Sequence, residues 1–235
     1  MTLQELLDTL FPAGHAVTLQ GRLLAGTGQV GKATVAVLGT TDAAAMDHEL
    51  ALGLAGHLLD VMEGHPGRPI VFLVDTKGQA LSRAEELLCL NASLAHLARC
   101  VDLARRRGHR SLSLVTGEAV SGGFLSFGLM ADRAYALASA QVRVMDLKAM
   151  ARVTKIAHER LLELAGSSPT FAPGAENYQR MGALEAIWAA PSAALLEAAL
   201  AQLAAEPALD LRMDAGAARD GRRLAAGTAA AILQA

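Results

Sequence analysis

At 235 residues the chain has room for one large domain or two small ones. Hydrophobic residues make up 52%, enough for a core without metal or disulfide staples, while aromatics at 3% leave Ala, Leu and Val to fill it. A net charge of −2 supplies no basic field for nucleic acid, and so few aromatics offer little to stack on bases, which argues against that partner.

The N-terminal stretch MTLQELLD carries acids where a secretory signal carries bases, and residues 3–10 read as a short amphipathic helix. The most apolar helical stretch, 50–62, is too short to span a bilayer and contains His57 and Asp60. A cytoplasmic protein with no membrane segment is expected. Val17–Leu24 and Ala33–Leu38 read as strands joined by a hairpin turn that holds Gly26, Gly28 and Gly31. Those glycines match the dinucleotide fingerprint in spacing, but a strand follows them where the fingerprint needs a helix, so no such cofactor is expected.

Thr41 or Asp42 is expected to cap a helix through Glu63. Residues 70–74, IVFLV, lack alternation and read as a strand buried on both faces, followed by a loop over 75–80. Ser82 and Glu85 have capping-box spacing and open a helix to Arg107, terminated at Gly108. Cys89 and Cys100 fall eleven residues apart on that helix, roughly 16 Å along its axis, so two buried free thiols are expected and no disulfide. A strand over 111–115 leads into GEAVSGGF at 117–124, where a helix begins. Arg133–Val144 reads as strand with a turn, and Asp146 caps a helix to Leu164. A loop over 167–174, a short strand within 184–188 and an Ala-rich helix over 191–205 follow, then a peripheral helix or partly mobile tail over 206–235. Strands alternating with helices predict one α/β domain with a mostly parallel sheet and a core over about 15–205.

Two consecutive strand-to-helix junctions carry glycine, at Gly78 and at Gly122–Gly123, and a parallel sheet would bring both to its carboxyl edge, where ligands bind. Bare amides there suit an enolate or tetrahedral oxyanion; glycines that only let a helix pack closely are the other reading, and spacing alone leaves both open. Ser121 sits in a relaxed nucleophile-elbow pattern, but none of the seven histidines lies in an obvious base position, so a helix-capping hydroxyl is the better expectation. Glu118 is a candidate base or orienting group, or a solvated acid. Lys148, Arg152 and Lys155 form a basic stripe suited to a phosphate or an acidic carrier protein, or simply a solvated face. No cluster has metal-ligand spacing, and no metal is expected.

VFLVDTKG at 71–78 and GEAVSGGF at 117–124 resemble the DTPGA and GEGGSGGA stretches of carboxyltransferases in biotin-dependent carboxylases. More closely, the run from about 39 to 188, with VMDLKAMARVTK at 144–155 and ENYQRMGALEAIW at 176–188, is similar to the gamma subunits of malonate decarboxylase. Residues before about 30 and after about 205 carry little of the resemblance. The resemblance implies a crotonase-like ββα-superhelix and an active site shared with a homologous beta subunit. It implies a malonyl thioester substrate on an acyl carrier protein with a phosphopantetheine-type, dephospho-CoA-derived arm, no cofactor on this chain, and an acyl-transferase subunit as further partner. CO2 loss would leave an enolate held by backbone amides. Gly122 and Gly123 match the family's oxyanion glycines and Gly78 its first-loop glycine, with Lys77, Gln79, Glu118 and Ser121 as flanking substrate-binding candidates. The sequence departs from the carboxylase pattern at Lys77, where those enzymes carry proline, and at Ala119–Val120, where they carry two glycines. Alternatives are a carboxyltransferase subunit that passes the carboxyl group to biotin, a non-catalytic scaffold completing the beta subunit's site, and, distantly, a serine hydrolase.

Overall fold

The computed structural model describes residues 1–167, 172–221 and 224–234. A capping box between Thr2 and Glu5 opens α1 (Leu3–Leu10), and an antiparallel meander follows: β1 (Thr18–Gln20), β2 (Leu23–Val30) and β3 (Ala33–Thr40). Next come β4 (Ala44–Met46), α2 (His48–Gly64), β5 (Ile70–Gln79), α3 (Arg83–Leu87), α4 (Leu90–Arg106) and β6 (Ser111–Val120). Then α5 (Ser121–Ser126), β7 (Arg133–Leu137), β8 (Gln141–Arg143), α6 (Leu147–Thr154), α7 (His158–Ser167), α8 (Ala175–Arg180) and β9 (Ala186–Trp188) lead to α9 (Ala193–Ala205), α10 (Arg212–Ala218) and α11 (Ala225–Leu233).

The apolar runs 70–74 and 112–115 are sealed on both faces and stand side by side in the centre of the sheet, whose order is β1-β2-β3-β5-β6-β7-β9. From β3 onward every pairing is parallel, as the α/β class requires. The ends of β5 and β6 do something else. Their register runs regularly to Val74↔Val115, shifts, and resumes at Thr76↔Ala119. Beyond the shift, β5 takes β4 as a neighbour and β6 takes β8. The two central strands therefore bend out of the main sheet into a second, four-stranded layer, β4-β5-β6-β8. Side chains alternate across it: Thr76, Gly78, Ala119 and Val142 are buried beneath, while Lys77, Gln79, Glu118 and Arg143 face outward.

Several sequence-based boundaries shift, some through contacts distant in sequence and some at local breaks in the backbone. The expected strand 17–24 breaks at Gly21–Arg22, and of the three hairpin glycines only Gly31 lies in the turn. Gly26 and Gly28 sit within β2, where a Cβ would stand 2.1 Å from the Ala16 carbonyl oxygen and 2.5 Å from the Phe11 ring. The cap of α2 is Asp47, which accepts the Leu50 N–H at 2.8 Å, because residues 44–46 are drawn into the second layer as β4. The loop expected over 75–80 is strand as far as Gln79. Ser82 caps α3 as expected, but the Glu85 carboxylate completes no box; it accepts the His48 N–H at 2.9 Å. The helix expected to reach Arg107 breaks at Cys89, whose φ of 58° leaves it exposed between α3 and α4 while Cys100 is buried, so only one of the two thiols is sealed. Burial pushes the Cys100 thiol above its ordinary value. The helix capped by Asp146 likewise breaks at Lys155, with φ 62°. Of the loop expected over 167–174, residues 168–171 lie outside the described residues. The C-terminal segment forms α10 and α11, and Arg219 clamps α10 to the body through the Gln179 and Leu184 carbonyls at 2.9 and 2.8 Å.

At the opposite, amino edge of β6 the buried Asp132 accepts from Arg105 Nε at 2.7 Å and from the Ser111 N–H at 2.8 Å. A buried ion pair is costly to break by removing one partner, because the other charge stays behind. Asp132→Leu is expected to lower stability by about 3–5 kcal/mol, read from the midpoint of urea unfolding.

Candidate functional site

The bend is built around one carboxylate. Asp75 Oδ2 accepts the Ala43 N–H at 3.0 Å and Oδ1 accepts the Glu118 N–H at 2.8 Å. The buried Thr40 hydroxyl donates to the Asp75 carbonyl at 3.0 Å, which ties the end of β3 to the same point. Gly117 is what lets β6 come this close, since a Cβ there would stand 2.3 Å from Asp75 Oδ1. The anchored turn holds Asp42 and Ala43 at φ 57° and 46°, a region that side chains other than glycine's enter only at a cost.

Past the bend, the two glycine-bearing segments meet. The fully buried Thr76 hydroxyl donates to the Ala44 carbonyl at 2.7 Å and accepts the Gly78 N–H at 3.1 Å. Gly78 adopts φ 98°, which glycine alone takes readily, and its N–H is thereby engaged within the chain. Gly123 is buried against this unit: a Cβ would lie 2.6 Å from Thr76 Oγ1 and 3.0 Å from the Gly78 Cα. Gly122 is different. A Cβ there would first meet the end of the Gln79 side chain at 3.1 Å, and its N–H donates to Gln79 Oε1 at 3.2 Å. Close packing thus accounts for Gly123, while the Gly122 N–H meets the Gln79 carboxamide.

Ser121 begins α5 itself, with φ 46° and Val120 in the cap position, so it is not the cap expected from sequence. Pairing of β6 with β8 extends through Val120↔Arg143, which forces the turn into helix to start at Ser121. No histidine ring bonds to Ser121 among the described residues; His48 Nδ1 lies 3.1 Å from Ser93 Oγ instead. Glu118 is half-buried, with Oε2 2.8 Å from Arg143 Nη2, and Lys77 is exposed on the same outward face. Lys148, Arg152 and Lys155 are exposed on and just after α6, which packs on α7. At the bend itself a cleft of about 220 Å³ opens between α1, the end of β3 and the middle of β5 and β6, lined by Thr40, Asp42, Asp75 and Thr116. Among the described residues no three His, Cys, Asp or Glu side chains are grouped to hold a metal ion, and no helix is long and apolar enough to cross a membrane.

Sequence reading gave Asp75, Thr76 and Arg143 no role. Asp75 and Thr76 close an apolar strand that the next strand answers with Thr116–Gly117, and an acid facing a bare glycine across a parallel pair was the available signal.

A family model described as malonate decarboxylase gamma subunit matches residues 39–235, so the match extends through the C-terminal segment as well as the central run. A curated relative, the malonyl-S-ACP:biotin-protein carboxyltransferase MADD of Malonomonas rubra, is 31% identical in an alignment of 182 positions that covers 68% of this chain. The chain spans 62% of that relative's length. Among solved structures, the Pseudomonas malonate decarboxylase hetero-tetramer in complex with coenzyme A is similar with a TM-score of 0.82 at 23% identity, over 97% of this chain and 96% of that one. The beta subunit of P. aeruginosa geranyl-CoA carboxylase is similar with a TM-score of 0.67 at 18% identity, over 89% of this chain and 43% of that one. The fold is therefore the crotonase-like carboxyltransferase fold that the sequence resemblance implies.

The bend should be sensitive to a single atom. Asp75→Asn keeps the volume but replaces one acceptor oxygen with a donor facing a backbone N–H. The expected loss is about 1.5–3 kcal/mol of stability, with faster hydrogen exchange at the Ala43 or Glu118 amide.

Proposed function

The chain belongs to the malonate decarboxylase gamma-subunit family, and from that premise we propose that, with a homologous beta subunit, it decarboxylates a malonyl thioester carried on an acyl carrier protein. The observation that carries this reading is that the family match covers both junctions, Asp75–Gln79 and Gly117–Gly123, which meet at one edge of the sheet.

In the reaction, the bond from the α-carbon to the carboxylate breaks and CO2 leaves. The electron pair passes onto the thioester as an enolate, and a proton then arrives at the α-carbon to give the acetyl thioester. A backbone N–H aimed at the thioester oxygen favours the enolate over the neutral thioester, because charge builds on that oxygen only as CO2 departs. Gly122 is the residue of this chain suited to donate. Its amide lies in the first turn of α5, just beyond a fixed strand end, and the space beside it is bordered by the Gln79 and Leu94 side chains. Gly123 and Gly78 act one step back, setting the position of Gly122 by close contact around Thr76. Lys77, Glu118 and Arg143 on the outward face are the polar groups nearest in the layer to meet the carrier's arm or the partner subunit, and the basic residues of α6 suit an acidic carrier. The arm is a phosphopantetheine-type group on the carrier, and an acyl-transferase subunit would load it. This chain acts as a carboxy-lyase component only within that assembly.

The relationship to a malonyl-S-ACP:biotin-protein carboxyltransferase favours one second reading, transfer of the carboxyl group to biotin on a partner. Avidin separates the two: it leaves CO2 release from malonyl-loaded carrier untouched in the first case and abolishes turnover in the second.

Assembly with beta and carrier subunits should yield CO2 release that neither large subunit shows alone. Gly122→Val points its side chain at Gln79 and Leu94 rather than at backbone, so the complex should still assemble. Its kcat should fall about 10²-fold through displacement of the bound thioester. Full CO2 release by an intact Gly122→Val complex would instead make this chain a scaffold for the beta subunit.

A further inference from the structure

Gln79 makes one side-chain hydrogen bond among the described residues, and it is to the donor that the proposed chemistry needs. Its Oε1 accepts the Gly122 N–H at 3.2 Å. A carboxamide oxygen is an sp² acceptor, like the carbonyl oxygen of a thioester. The two cannot share that amide in good geometry. The main chain of Gln79 is fixed: the residue closes β5 opposite Met46, and the next N–H, of Ala80, donates to the Met46 carbonyl at 2.8 Å. Only rotation of the Gln79 side chain can clear the position. Leu94 is the next neighbour, at 3.5 Å from a Cβ placed on Gly122, and it offers no polar group to replace Gln79.

We propose that Gln79 is an internal occupant of the substrate's acceptor position: its carboxamide holds the Gly122 N–H in the ligand-free chain and is displaced by the thioester oxygen when substrate binds. This rests on the decarboxylase reading of the site. The occupant has a kinetic consequence. Because the thioester oxygen displaces Gln79 when substrate binds, the cost of displacement is already met in the bound complex and falls equally on bound substrate and transition state, so Gln79 raises KM and leaves kcat unchanged. In the unliganded state it also keeps a half-buried backbone donor satisfied.

Three variants in the assembled complex test the idea. Gln79→Ala and the one-methylene-shorter Gln79→Asn no longer reach Gly122, so KM for malonyl-loaded carrier should fall about 2- to 10-fold, with kcat/KM rising by the same factor. Gln79→Glu places an anion on the same amide and should raise KM instead. Hydrogen exchange at the Gly122 amide of the intact chain is the second readout: faster in the Ala and Asn variants, slower in the Glu variant. A contact that merely stabilises the fold predicts lower stability in all three with no fall in KM. A rise in KM for Gln79→Ala, or Gly122 exchange unchanged by it, overturns the proposal. A wild-type complex that releases no CO2 overturns the decarboxylase reading and substrate displacement together, and the exchange measurement then decides by itself whether Gln79 covers Gly122.

Discussion

The site depends on the Asp75 carboxylate, which accepts backbone N–H groups from Ala43 and Glu118 on either side of β5. Two parallel strands that leave their sheet together expose main-chain donors that no longer face carbonyls, and each unmet donor is costly away from water. The carboxylate at the point of departure meets one such donor, the Glu118 N–H of β6, and with its other oxygen the Ala43 N–H of the turn that enters β4. Thr40 braces the same residue from β3. With Asp75 in place, β5 and β6 can turn out of the main sheet and still be hydrogen-bonded, and the second layer exists because they do.

That layer explains why small residues concentrate where they do. Each glycine near the bend answers a different requirement. Gly117 admits the Asp75 carboxylate, Gly78 supplies a left-handed turn whose N–H closes onto Thr76, and Gly123 lets α5 lie on that turn. Gly122 is the one among them whose missing side chain leaves a donor within reach of a flexible group rather than of backbone. Gly117 and Gly123 therefore act by permitting close approach and Gly78 by its backbone conformation, and the chemistry proposed for Gly122 depends on the precision that these give it.

Features decided within a few residues were legible in the sequence. The runs 70–74 and 111–115 are short, buried and bounded by turn residues, the marks of central strands, and Asp146 caps its helix through a contact three residues away. What was illegible is decided from far off. The partners of Asp75 lie 32 and 43 residues away, so nothing local marks it as the hinge of two layers. Asp42 looks like a helix cap until β5 claims residues 44–46 as a strand neighbour. Gly26 and Gly28 look like a flexible turn until Phe11 and Ala16 are seen lying over them. The glycine-rich segment of the site was visible as a string; what engages the Gly122 amide was not, because Gln79 reaches it from the neighbouring strand.

The departures from the carboxylase pattern take on a physical meaning in this frame. Where those enzymes carry two glycines, this chain has Ala119, fully buried in register with Thr76, and Val120, paired with Arg143 of β8. Replacing glycines with a buried alanine and a β-branched valine removes conformational freedom and favours strand pairing right up to the helix. β6 is in consequence a strand to its last residue, and the turn into α5 falls entirely on Ser121, the one residue there at positive φ. Lys77, where the carboxylases carry proline, points outward, so its side chain does not enter the packing that sets the layer. Lys77 leaves the inward face of the layer untouched, and Ala119 adds a single buried methyl group to it. The departures move rigidity into the strand that carries Gly122, and they leave adaptability to the side chains on the face that a partner or a carrier would meet.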